Sequence, residues 1–230
     1  MNEIKELLIH LFADPGTLSA IQVTFQMAFW STLISAITGT FLGLLLERYN
    51  FFGKRVVIRI NRTLMGVPPV VMGLVVYLLI MRRGPLGFLS LLFTVPGMVL
   101  AQVLIITPIV CGMVYSYAVK VAPSIRVFAK TMGTTKGQMV RLLLKEMRHE
   151  IYFAIVAGFG RAISEVGAVM LVGGNIRGQT RTMTTTITML RGQGIYREGI
   201  VLGVLLLVMA FILQCLVDYF RKKEVGDENY

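Results

Sequence analysis

The sequence predicts an all-α integral membrane protein with about five transmembrane helices. Three observations carry that prediction. Hydrophobic residues make up 55% of the 230-residue chain and charged residues only 15%, against roughly 25% charged residues in soluble domains. Mean hydropathy is +0.72. The apolar residues are also gathered into runs near the ~20 residues that a helix needs to cross a ~30 Å hydrocarbon core. This composition excludes a disordered chain and argues against an ordinary soluble domain.

Residues 1–16 read as a short amphipathic helix, with Ile4, Leu7, Leu8 and Leu11 sharing one face. Glu3 and Glu6 argue against a cleavable signal peptide, whose first residues are basic. Asp14-Pro15-Gly16 ends this helix, and Thr17 can cap the first span. That span, Thr17 to Leu46, has 30 residues and no charge. The second, Thr63 to Met81, has 19 and opens around Gly66-Val67-Pro68-Pro69.

Gly84 to Val119 is also uncharged, but Gly84-Pro85 and Pro96-Gly97 break it. What remains is a turn, a short apolar piece and a third span from about Pro96 to Val119. Thr107-Pro108 marks a kink inside it, which either moves during gating or serves packing. The fourth span, Ile151 to Ile176, is apolar except for Arg161 and Glu165. The fifth, Gly199 to Val217, has 19 residues. Domain organisation is then an outer segment 1–16, one membrane domain 17–220 and a cytoplasmic tail 221–230.

Net charge is +11, from 23 basic and 12 acidic residues. Sorted by the segments between spans, 15 basic residues fall in 47–62, 120–150 and the tail, and 7 in the alternate segments. Lys and Arg in short loops favour the cytoplasm. The N-terminus is therefore expected outside and the C-terminus inside, and nucleic acid is not needed to explain the charge. Arg221, Lys222 and Lys223 would anchor the tail at the inner face.

Cys111 and Cys215 lie in apolar stretches without metal-site neighbours, His10 and His149 stand alone, and the 14 Met read as adaptable core. No metal site, no catalytic residue and no nucleotide-binding loop is expected.

Residues 120–150 exceed what a turn between spans requires. Ala122-Pro123-Ser124 is a helix-start signal with Ser124 as N-cap, and Ile125, Phe128, Ala129 and Met132 follow at helical spacing. A second pattern runs from Thr135, with Met139, Leu142 and Leu143 on one face. Two short amphipathic helices joined near Gly133-Thr134 are expected below the membrane. They would either lie on anionic lipid or dock a soluble partner.

The stretch from Phe128 to Leu143 resembles the EAA loop of ABC-importer permeases. That pattern is Glu-Ala-Ala, three residues, Gly, then apolar residues in the following helix. Ala129, Gly133, Val140 and Leu143 match it. Val127 and Phe128 stand in place of the Glu and first Ala, and Lys145-Glu146 in place of a closing Leu-Pro. The resemblance implies a MetI-like permease fold and makes this loop a coupling helix seated in a groove on a cytoplasmic ATPase. Ala129, Gly133, Thr134, Val140 and Leu143 would make that coupling.

In the fourth span Arg161 and Glu165 are four residues apart, so they can pair on one helix. They either lock packing or line the pathway. Ala157, Gly158, Gly160, Ala162, Ser164, Gly167 and Ala168 allow close helix approach. Gly173-Gly174-Asn175-Ile176 then breaks the helix at its outer end. Arg161-Ala162, Glu165-Val166-Gly167-Ala168 and Gly174-Asn175 are similar to oxyanion-importer permeases, most of all the tungstate branch, with molybdate and sulfate branches alike. The Thr-rich run from Arg177 to Thr188 reads either as an outer vestibule or as a membrane-parallel or re-entrant helix whose hydroxyls satisfy backbone.

The resemblance covers about residues 15–220. It implies a permease subunit of an ATP-driven importer for a tetrahedral oxyanion, working as a homodimer by alternating access. Two cytoplasmic ABC ATPase subunits would hold ATP and Mg, so this chain binds no cofactor and is not an enzyme. An extracytoplasmic binding protein would supply the anion. A secondary carrier built on Arg161 and Glu165, or a membrane subunit docking another soluble protein, are the rival readings.

Overall fold

The computed structural model describes residues 13–226, with side chains through Cys215. The amphipathic segment with Ile4, Leu7, Leu8 and Leu11, and the basic side chains of the tail, lie outside the described residues. Nine α-helices and no strands are present among the described residues: α1 Pro15–Arg48, α2 Lys54–Met65, α3 Pro69–Ile80, α4 Val95–Thr131, α5 Lys136–Glu146, α6 Arg148–Ser164, α7 Gly167–Gly173, α8 Met183–Gly192 and α9 Tyr196–Gly226. Among the described residues, three helices are long and apolar enough to cross a membrane: α1, α4 and the Tyr196–Cys215 part of α9. Two bent pairs, α2 with α3 and α6 with α7, bring the number of crossings up to five.

Asp14, not Thr17, caps α1. Its carboxylate accepts from the Thr17 N–H at 3.1 Å, and Pro15 fills the first turn, where no N–H is needed. Helix α1 lies along α4. An added Cβ at Gly39 would meet Val110 Cβ at 2.7 Å, and one at Gly43 would meet the Cys111 carbonyl at 2.9 Å. The two backbones approach closely because these positions carry no side chain. Ser35, Thr38 and Thr107 add a hydroxyl chain between the helices, at 3.2 and 3.4 Å.

The second span is not one helix. Helices α2 and α3 meet at 107°, because Gly66-Val67-Pro68-Pro69 cannot continue α2. The stretch read as a 47–62 loop is thus largely helical, and Thr63–Met65 belong to it. Helix α3 alone spans about 18 Å. The third span is longer than expected. Helix α4 runs through Pro108 and Pro123 to Thr131, so Ala122-Pro123-Ser124 starts no new helix. The Ser124 hydroxyl donates back to the Val121 carbonyl at 2.9 Å instead of capping.

Two core clusters meet on α4. One joins Ile106, Val110, Val114, Ala118 and Ala122 to Ala28, Leu143, Met147, Ala154 and Ala162. The other joins Met98 and Ala101 to Val23, Met27, Val76, Ile80, Val169 and Val172. Helix α4 is therefore the central post. By contrast the Tyr196–Cys215 part of α9 is mostly exposed, as a lipid-facing helix is expected to be.

Candidate coupling surface and membrane charge site

The segment between α4 and α6 is a helix hairpin. Gly133 has φ +64, a left-handed conformation that costs an L-residue roughly 1–2 kcal/mol. Helix α4 ends there, and both the Thr134 N–H and its hydroxyl donate to the Ala129 carbonyl, at 3.0 and 2.9 Å. Thr135 and Gln138 then form a reciprocal capping box at the start of α5. Side-chain directions divide the expected coupling residues. Ala129 and Leu143 are buried within this chain, Leu143 beside Met147 in the α4 core cluster. Both side chains pack within this chain, and Leu143 holds α5 to the membrane domain. Val140 is exposed, with Val127, Phe128, Met132 and Leu144. All five are exposed apolar residues on or at the ends of the two helices that flank the Gly133 turn.

The Glu47 carboxylate accepts from the Arg126 guanidinium, tying the end of α1 to the C-terminal part of α4. Glu47 is nearly buried. Neither residue stands out in sequence, because the partners are 79 positions apart.

Arg161 and Glu165 are paired, but not along one helix. Their charged atoms lie 3.6 Å apart, and the chain bends by 60° between α6 and α7 at Glu165-Val166. A continuous helix would use the Ala162 carbonyl to accept from residue 166. Here the buried Gln102 amide donates to it, at 3.1 Å. The second Glu165 oxygen accepts from the Ala168 N–H at 3.1 Å, capping α7. Thr184 donates its hydroxyl to the Glu165 carbonyl at 3.0 Å. Glu165 is buried, whereas the Arg161 side chain is 38% exposed. Arg161 therefore opens to the α6 surface that carries Ala157, Gly160 and Ser164. Gln102 is an uncharged polar residue inside the third span, which was the available signal for it.

Asn175 is not brought to this pair. It lies beyond α7, whose seven residues extend about 10 Å. It adopts φ +53 just after the left-handed Gly174, so the helix breaks where the sequence indicates. Its carbonyl accepts from Arg181 at 3.4 Å, while its side-chain oxygen is buried without a hydrogen bond.

The Thr-rich run is structural in its hydrogen bonding. Thr180 donates to the Gly173 carbonyl at 2.5 Å, and Thr182 and Thr185 form a capping box for α8. Thr24 accepts from the Met183 N–H at 2.9 Å. Thr180, Thr182, Thr184, Thr185 and Thr186 are all buried, so the backbone-satisfying alternative describes this segment. At the start of this run Arg177 pairs with Asp14 at 2.5 Å. Burial alone would raise the Asp14 carboxyl pKa. The Gly16 N–H, the Arg177 charge and the Thr17 hydrogen bond together outweigh it and hold that carboxyl below its usual range.

Residues 39–225 match the family of binding-protein-dependent transport system inner membrane components. The tungstate uptake system permease protein TupB of Peptoclostridium acidaminophilum is 40% identical over 212 residues, 92% of either chain. The sulfate transport system permease protein CysW of Escherichia coli K12 is 31% identical, over 95% of this chain and 80% of that one. In fold the chain is similar to a bacterial ABC transporter importing the acidic polysaccharide alginate. There the TM-score is 0.76 at 18% identity, over 95% of this chain and 83% of that one. The chain therefore belongs to the binding-protein-dependent transport system inner membrane component family: it is an all-α, multi-pass ABC permease, not an enzyme.

Proposed function

We propose that this chain is the permease subunit of an ATP-driven importer for a tetrahedral oxyanion, tungstate foremost. Residues 17–220 form its single membrane domain, with the N-terminus outside and the α4–α5 hairpin and tail in the cytoplasm. One observation carries the coupling role: Phe128, Met132 and Val140 are exposed around a rigidly capped Gly133 turn. Exposed apolar residues at such a helix hairpin fit a groove in a soluble partner, here one of two ABC ATPase subunits that hold ATP and Mg. Motion of such a subunit would enter α4 as a rigid-body displacement.

Two copies of the chain are needed to enclose a path. The exposed Ala157, Gly160 and Ser164 face of α6 supports a close α6 contact with a second copy, giving a homodimer. Arg161, on that face, would meet the anion. A guanidinium is a good oxyanion donor, and its 3.6 Å pairing with Glu165 leaves donors to spare. Tight selection falls to an extracytoplasmic binding protein, since a tight site in the permease would slow passage.

Tungstate is favoured by the 40% identity to a tungstate permease; the sulfate permease at 31% supports sulfate as the second reading. Uptake by cells lacking this gene decides between them. Loss of tungstate uptake with normal sulfate uptake supports the first, and the reverse result supports the second.

A further inference from the structure

Helix α2 presents three distinct faces. Asn61 and Met65 turn toward α4: the Asn61 amide donates to the Pro108 carbonyl at 3.1 Å, and Met65 packs on Gly112. Arg55, Arg59 and Arg62 share a second face by their 4 and 3 spacing. Val56, Val57, Ile60 and Leu64 form a third face, opposite the arginines. None of the twelve residues is buried, and Val56 and Ile60 are more than half exposed.

Its placement fixes what those faces meet. Lys54 donates to the Asn50 side chain at 3.0 Å, so α2 begins at the inner end of α1. The 107° bend sets it nearly perpendicular to the apolar α3. Set crosswise at the end of α1 and α3, α2 would lie in the plane of the bilayer surface. Its apolar face then enters the acyl boundary, and its arginines sit at phosphate level. The exposed Tyr49, Phe51 and fully exposed Phe52 precede it at the same level. Among the described residues, none of the three arginines is ion-paired within the chain.

We infer that α2 is an anionic-phospholipid site, with Arg55, Arg59 and Arg62 holding headgroup phosphates of the inner leaflet. Guanidinium forks suit phosphate oxygens, and three of them on one turn-spaced row favour an acidic lipid over a zwitterionic one. The inference rests on the membrane placement of the chain and not on its transport role. Its test is therefore independent of uptake.

The full-length protein is reconstituted in phosphatidylglycerol and phosphatidylcholine, extracted mildly, and its retained lipid counted by mass spectrometry. Wild type should retain phosphatidylglycerol in excess of its share. The combined Arg55→Gln, Arg59→Gln, Arg62→Gln variant should lose that enrichment by at least about fivefold, the weight of one interfacial arginine. The matching triple Lys variant should keep most of it. Circular dichroism checks folding, and Arg59→Gln alone serves if the triple variant misfolds. Unchanged enrichment in the folded Gln variants overturns the inference. So does an Arg59→Cys thiol in vesicles that is shielded from reagents only when a soluble ATPase subunit is added, which would assign the face to that protein.

Discussion

The Arg126 guanidinium is salt-bridged to the Glu47 carboxylate, joining two helix ends that are 79 residues apart in sequence. The pair lies below the Gly39 and Gly43 contact of α1 with α4, so it extends one tightly packed unit toward the Gly133 hairpin. Anything that displaces α5 and the end of α4 meets α1 through this bridge.

Breaking the bridge should therefore cost stability. Glu47→Ala leaves a half-buried guanidinium without its counter-charge, at about 2–3 kcal/mol, toward the low end for a buried pair. Thermal unfolding in detergent should show a lowered midpoint. The double variant Glu47→Arg, Arg126→Glu should recover part of the loss. No change in either would mean the bridge contributes nothing.

Gly133 should tolerate substitution according to backbone conformation and not size. A Cβ there meets nothing within 4 Å, but φ is +64. Gly133→Asn, which visits left-handed φ readily, should keep ATP-driven uptake. Gly133→Val should lose it with membrane insertion intact, since a β-branched residue opposes that turn. Equal uptake by both would remove the turn from the mechanism.

For Glu165 the structure separates two duties. Glu165→Gln keeps an oxygen for the Ala168 N–H but loses the charge facing Arg161. It should fold near normally and transport poorly. Glu165→Ala also loses the cap and should be less stable by about 1 kcal/mol. A charge swap of Arg161 and Glu165 should fall short of wild-type stability, because arginine cannot accept from Ala168. A fully stable swapped protein would show that the pairing matters and the cap does not.

The Asp14–Arg177 tie should be insensitive to pH across the ordinary range. Asp14 has a folded pKa below its reference of 3.8. Its stabilisation is thus fully present above that reference and is lost as pH falls through the lower folded value. Spin-label distances between the start of α1 and the 177 turn should hold from pH 7 to 5 and lengthen only below about 4. Asp14→Asn should lengthen them at every pH.

The long apolar runs were readable because a span must be apolar along its whole length. The Gly133 turn was readable from one residue type. The bends were less so. At Gly66–Pro69 an uncharged run continues through a 107° turn, and hydropathy does not register direction. At Glu165 the fourfold spacing suggested one helix, whereas the carboxylate caps the next. Pro123 looked like a start because proline favours first turns, yet α4 passes through it. Asp14–Arg177 and Glu47–Arg126 join residues far apart in sequence, where no local pattern operates.

Coupled ATP hydrolysis in a reconstituted complex tests the central claim most directly. The permease is placed in liposomes with its ATPase subunits and binding protein, and turnover is followed with and without tungstate. The expected result is stimulation by tungstate-loaded binding protein, abolished by Met132→Glu with Val140→Glu while α5 stays folded. ATP turnover indifferent to tungstate, or unchanged by charges placed at those two apolar positions, would contradict it.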